Sequence, residues 1–142
     1  MYLLNEIIWF VLYLQVLFSD IFLKSFKKLT SVRLQKSVLH LLLNLSSGWR
    51  PKKQNFETTC GSSSMILKKF KVERLYIVCT NDIAKNAQVL KIWDILPLED
   101  IPKLINRLDS IFSRYTDEFI NLCKEKCLDG YVLKPSCSVT CL

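Results

Sequence analysis

The sequence predicts an α+β domain: a small antiparallel sheet with a helical pair on one face, followed by C-terminal helices. Three observations carry this. Apolar residues recur at helical spacing in two stretches between Ser19 and Gly48. Two runs rich in β-formers lie close together between Leu75 and Ile95, and helical spacing resumes after Pro97. Helices and strands that are grouped, not alternating, mark a sheet with segregated helices.

A chain of 142 residues, half of them apolar, has room for one modest core. The reading divides it into an apolar N-terminal segment (residues 1–14), a single α+β domain (15–130) and a tail (131–142).

Gln15 to Phe18 suits a short strand. Ser19 and Asp20 then open a helix whose apolar side is Phe22, Leu23, Phe26 and Leu29 and whose other side is Lys24, Lys27 and Lys28. Ser31 is a second N-cap. It precedes the stripe Leu34, Val38, Leu41, Leu42 and Leu45, which Gly48 ends. Trp49 to Ser64 reads as an exposed basic loop. Leu75 to Thr80 and Gln88 to Ile95 form an antiparallel hairpin around a turn at Asn81 to Asn86, and the first of these strands is apolar on both sides, as an interior strand is. After Pro97, Glu99 and Asp100 open a helix with Ile101, Leu104, Leu108, Ile111, Phe112 and Tyr115 on its apolar side. Thr116 caps a shorter helix through Phe119, Ile120 and Cys123, and Gly130 is its expected stop.

The net charge of +7 is concentrated in one place. Residues 24–74 hold twelve bases against Glu57 and Glu73, a local excess of +10, while both flanks are slightly acidic. A basic block of this size points to an anionic partner, nucleic acid first, because phosphate binding releases counterions. A solvated lysine face is the competing reading. The candidate contacts are Lys24, Lys27, Lys28, Arg50, Lys52, Lys53, Lys68, Lys69 and Lys71, with Trp49 beside Arg50 and Phe70 between Lys69 and Lys71 as stacking candidates.

Chemistry of other kinds finds little footing. There is no G-x-x-x-x-G-K-[ST], so the chain carries no phosphate-cradling loop and no ATPase motor, and one histidine, His40, leaves no hydrolytic triad. Asp94, Glu99 and Asp100 are the nearest approach to a carboxylate cluster, and strand-end and capping roles account for them more simply. Cys123, Cys127, Cys137 and Cys141 form two C-x3-C pairs, a zinc set in principle, yet the first pair lies one turn apart in an expected helix, where cysteine is a common small hydrophobe. No metal and no cofactor are expected. Metal-free RNA cleavage by Lys or Arg, with Tyr76 near the strands, stays open as a weaker alternative.

Met1 to Leu14, extended to Leu23, is long enough to consider as a membrane span, but Asn5, Glu6 and Gln15 interrupt it and no basic residues precede it. Lys24, Lys27 and Lys28 after it keep a signal anchor open. A docking helix or an atypical start is the favoured reading, and the expected location is nuclear or cytoplasmic.

Several motifs, in one order, resemble a known family. QVLFSDIFLKSFKKL (15–29), LLLNLSSGWRPKKQN (41–55), ILKKFKVERLYIVCTNDI (66–83), QVLKIWDILPLEDIPKLINRLDSIF (88–112) and YTDEFINLCKEKCLDG (115–130) resemble a region of very large plant proteins. These are the plant TPR and ankyrin repeat-containing proteins, with related senataxin-like and UvrD-like superfamily 1 helicases. The resemblance implies a position just after a helicase core, with the motor motifs outside this segment. Residues 1–14 and 131–142 do not look like the family's flanks, which implies a truncated form, and the turn from Asp82 to Gln88 looks shorter than is usual there. More distantly, the element order resembles the RelE/ParE toxin fold, whose active members cleave mRNA. The expectation is therefore an accessory or remnant domain of a helicase-type protein that binds nucleic acid, RNA before DNA, or the neighbouring motor. A RelE-like ribonuclease and a membrane- or partner-docking module are the alternatives. Enzymatic activity is not expected.

Overall fold

The computed structural model describes residues 16–49, 55–59, 61–84 and 87–124. Two serines set the first helices. Ser19 Oγ accepts from the Phe22 amide at 3.1 Å and starts α1 (Asp20–Lys27), while Ser31 Oγ accepts from the Leu34 amide at 3.2 Å and starts α2 (Val32–Ser46). Gly48, at φ 96°, takes the left-handed conformation that ends α2.

Five strands form one sheet in the order β1-β5-β4-β3-β2: β1 Val16–Phe18, β2 Asn55–Thr59, β3 Ile66–Val72, β4 Leu75–Ala84 and β5 Ala87–Pro97. The class is α+β, as expected. The sheet is mixed, however. Strands β2 to β5 pair antiparallel, and β1 returns to lie parallel to β5, Val16 opposite Leu90 and Phe18 opposite Ile92. Strand β4 sits in the centre, which explains why both of its faces are apolar.

Two strands differ from the sequence reading. The expected loop of residues 49–64 contains β2, and it is followed by β3, whose residues ILKKFKV mix charge and bulk without a clean alternation. Strand β3 was hidden by its lysines and by its turn. The β3–β4 hairpin closes over only Glu73 and Arg74, with Glu73 at φ 55°, a conformation usually signalled by Gly or Asn. The turn expected at 81–86 is also narrower, because β4 runs to Ala84 and pairs with β5 from Ala87.

The helices cover both faces, not one. Helices α1 and α2 pack on the first face, where Phe22, Phe26, Leu34, Val38, Leu42 and Leu45 meet Phe70, Val72, Ile77, Cys79, Leu90, Ile92 and Ile95. On the second face, α3 (Ile101–Phe112) and α4 (Asp117–Lys124) bring Leu104, Leu108, Phe112 and Ile120 onto Met65, Leu67, Val78, Trp93 and Leu96. A turn of 3-10 helix at Leu98–Asp100 leads into α3, with Pro102 in its first turn. Thr116 Oγ1 accepts from the Phe119 amide at 3.1 Å and starts α4.

A bulge in β5 fits the strand to two cores at once. Val78 faces Asp94 while its neighbour Cys79 faces Ile92, so Trp93 is the extra residue. Before the bulge, the even residues Leu90 and Ile92 point to the α1–α2 core. After it, the odd residue Ile95 does so, and Trp93 and Leu96 go to the other side. Without that one-residue shift, Asp94 would fall in the alternation where Ile95 now packs.

Candidate nucleic-acid interface

Helix α1 separates its residues cleanly. Phe22 and Phe26 are buried against the sheet, and the 3.6-residue period leaves Lys24, Lys27 and Lys28 exposed on the outside. Lys24 and Lys27 also occupy the last turn, where cations complement the helix dipole. The connection to α2 is short and tied. Gln35 Nε2 donates to the Leu29 carbonyl at 2.8 Å, which fixes the α1–α2 turn against the first turn of α2.

The same turn meets the β3–β4 hairpin. Arg33 Nη2 lies 3.4 Å from Glu73 Oε1, so the start of α2 stands beside the hairpin tip. The pair sets the α1–α2 turn beside the hairpin tip, so that Lys27 and Lys28 at the end of α1, Arg33 and Lys36 in the first turns of α2 and Arg74 at the tip, all exposed, lie within a few residues of the contact along the chain. Arg33, Lys36 and Arg74 were not among the sequence candidates. They belong to the basic block, but nothing in one dimension shows that residues 33 and 73 are neighbours. Pairing of Leu75 with Pro97 brings exposed Leu98 to this end as well.

The other sequence candidates scatter. Lys68 shares a side of β3 with Phe70 and Val72, toward α1 and α2, whereas Lys69 and Lys71 alternate to the opposite face. Lys68 and Lys69 are half-buried, and Lys71 is exposed. Phe70 is corrected as a stacking candidate: it is 1% exposed, inside the α1–α2 core, with no ring face for a base. Trp49 is 48% exposed, but it follows the C-terminus of α2. At 1.5 Å per residue that is about 20 Å from Arg33. Arg50, Lys52 and Lys53 lie outside the described residues.

Other sequence readings can be placed too. His40 is exposed on α2, and Tyr76 is half-buried against the α3–α4 core, opposite Lys71. Glu99 and Asp100 open the α3 region, although Asp100 makes no side-chain cap hydrogen bond. Cys123 is buried in the α3–α4 core. Among the described residues, no group of three or more His, Cys, Asp or Glu is placed to hold a metal ion, and Cys127, Cys137 and Cys141 lie outside them. Among the same residues, no helix is long and apolar enough to cross a membrane, and residues 1–14 lie outside the description.

A second polar cluster lies on the α3–α4 side. Trp93 Nε1 donates to Thr80 Oγ1 at 2.9 Å, and Lys91 Nζ stands 4.3 Å from the centre of the Trp93 ring. Burial pushes the Asp82 carboxyl above its ordinary range, against the Ile83 amide and the Lys91 charge, which pull it down. Tyr115 is pushed up to about 12, first by burial and then by its electrostatic interaction with Asp82 and Cys123. Asp94, at the bulge, is also raised by burial, with hydrogen bonds from Ser25 and the Ile95 amide in opposition. The end of α4 is tied to the same side of the sheet. Asn81 Nδ2 and Gln88 Nε2 both donate to the Cys123 carbonyl, at 3.0 and 2.9 Å, satisfying the last turn of α4. This side is thus organised for holding α4 in place.

What the basic end offers is a set of exposed cations, with Glu73 among them and exposed Glu99 next to Leu98. Comparison with protein-family models, with curated proteins and with solved structures found no match to the chain.

Proposed function

We propose that this domain binds nucleic acid, RNA before DNA, through the basic end where the α1–α2 turn meets the β3–β4 hairpin, and that it serves as an accessory unit of a helicase-type protein. The observation that supports the binding is the Arg33–Glu73 contact at 3.4 Å, which draws cations far apart in the sequence into one exposed set. Phosphate neutralisation by such a set gives affinity that is mostly electrostatic. The helicase connection is supported by the ordered motifs of the sequence and by nothing in the geometry. The neighbouring motor is the other partner on this reading, reached through the same surface.

Fluorescence anisotropy of labelled single-stranded RNA, duplex RNA and single-stranded DNA, titrated with the full chain across a salt series, tests the binding. The expected result is binding that weakens steeply with salt. It should disappear when Lys28, Lys36 and Arg74 are reversed to Glu, substitutions that leave the Arg33–Glu73 pair in place. Equal binding by that variant removes the basic end from consideration.

A further inference from the structure

We infer that the nucleic acid this end takes is a double strand held by its phosphates, not a single strand held by stacked bases; the inference rests on the nucleic-acid reading proposed for this domain. Proteins that hold single strands without sequence preference combine a basic groove with exposed aromatic rings on which successive bases stack. Among the described residues, the rings of the α1–α2 layer point inward, and Tyr76, two residues from Arg74, is half-buried against the α3–α4 core. Phe22, Phe26 and Phe70 are buried in the α1–α2 core, and Phe18 is stacked on Phe22 at 5.1 Å between ring centres. Trp49, 48% exposed, stands at the far end of α2. Among the described residues, two exposed aliphatic side chains lie toward the cations, Val32 at 62% and, beside exposed Glu99, Leu98 at 56%. Neither has a π face to offer a base.

The mounting of the cations argues the same way. Their backbone positions are set by a helix end, a helix start and a two-residue hairpin, tied together by Arg33–Glu73 and by Gln35 to the Leu29 carbonyl. A fixed array suits a partner whose phosphates are already fixed. A duplex presents a dense, regular array of phosphates without further ordering, while a flexible single strand has to be ordered on binding, a cost that stacking ordinarily offsets. Recognition through phosphates alone also carries no sequence information.

The full chain is titrated against a labelled RNA duplex of about 20 base pairs, against each of its separated strands and against oligouridine, from low to moderate salt. The expected result is a preference for the duplex of about tenfold or more, indifferent to its sequence, with affinity that falls linearly on a logarithmic salt scale, more steeply the more phosphates are neutralised. The Lys28, Lys36 and Arg74 reversal should flatten that slope, and Trp49→Ala should leave it unchanged. Tighter binding to single strands, or weaker binding by Trp49→Ala, overturns the double-strand inference and leaves the nucleic-acid reading standing. Absence of salt-sensitive binding to every strand type overturns both.

Discussion

The two helical layers that enclose the sheet differ in charge. Residues 20–48, the α1–α2 layer, carry five bases against the single acid Asp20, a net of +4, whereas residues 98–124, the α3–α4 layer, carry four bases against five acids, a net of −1. The first layer packs through aliphatic side chains, Phe70 and a short ring chain, Phe18 to Phe22 at 5.1 Å and Phe22 to Phe26 at 6.0 Å. The second has a chain of rings, Trp93 to Phe112 at 5.7 Å, Phe112 to Tyr115 at 5.3 Å and Tyr115 to Phe119 at 5.1 Å, and polar ties from the sheet to its helices. What separates the layers is the sign of the charge they present: both expose charged side chains and both are tied to the sheet by polar bonds, but only the first has a large excess of one sign.

The sharpest way to break that contrast is to open each core in turn. Phe112→Ala removes the middle of the ring chain, and Phe70→Ala removes the buried ring under α2. Each should cost about 3–5 kcal/mol in urea unfolding, since a deleted aromatic loses its transfer energy and leaves a cavity. Native-state hydrogen exchange on the two variants then asks whether the layers open separately. If Phe112→Ala unprotects α1 and α2 as much as α3 and α4, the layers are one cooperative unit, and the contrast lies only in their surfaces.

A smaller effect is expected at Asp109. Its carboxylate accepts from the Ser62 and Ser63 amides at 3.0 and 3.2 Å and from Ser62 Oγ, anchoring the turn before β3 to α3. The approach is close: a Cβ built on Gly61 would collide with the Asp109 carboxylate, and Gly61 sits at φ 51°. Asp109→Ala should destabilise by about 1–3 kcal/mol through the loss of its hydrogen bonds to a charged acceptor. Gly61→Ala should cost at least as much, from the clash and the backbone together. On the other face, the start of α2 is tied to the sheet by the exposed Arg33–Glu73 pair, a weaker kind of fastening.

How much of this was legible in one dimension depends on the range of the interaction. Helices α1 to α4 declared themselves because Ser19, Ser31 and Thr116 are local caps and the apolar residues keep a 3.6-residue period. Strand β3 did not, because Lys68, Lys69 and Lys71 broke the apolar pattern and Glu73 holds a turn conformation that its residue type does not advertise. The bulge at Trp93 was equally silent, since a one-residue register shift becomes visible only against the partner strand. The candidate interface shows the same split. The excess charge of residues 24–74 was plain, while its sorting was decided by strand parity and by the meeting of Arg33 with Glu73.

The pH dependence of stability separates the layers more gently. The Asp82 carboxyl is raised above 3.8 by burial, so the folded state holds its proton more tightly than the unfolded chain does. Between 3.8 and the raised value the folded state binds more protons, so this group makes stability fall as pH rises through that window and rise as pH falls. Above it, the buried charge is a standing cost. Asp82→Asn should therefore stabilise the protein at neutral pH and flatten the curve through the window, because the amide oxygen can still accept from the Ile83 amide, 2.7 Å away in the native protein. An unchanged pH profile in chemical unfolding would transfer the effect to Asp94, whose carboxyl is raised for the same reason.

The smallest stability effect falls on the contact that matters most to the function proposed. Arg33 and Glu73 are 82% and 36% exposed, and pairs of this kind contribute about 0–1 kcal/mol. Against this stands the backbone of Glu73 at φ 55°, which a glycine adopts at no steric cost. In Glu73→Gly the two terms oppose each other at about 1 kcal/mol each, so unfolding should change by less than that. Phosphate binding should change far more visibly. Removal of the acid set among Lys28, Arg33, Lys36 and Arg74 should tighten nucleic-acid binding at low salt, with the gain fading as salt screens it. If Glu73→Gly instead weakens binding without loss of stability, the carboxylate is what keeps Arg33 aimed at the partner, and the basic end is an oriented site in which charge alone does not suffice.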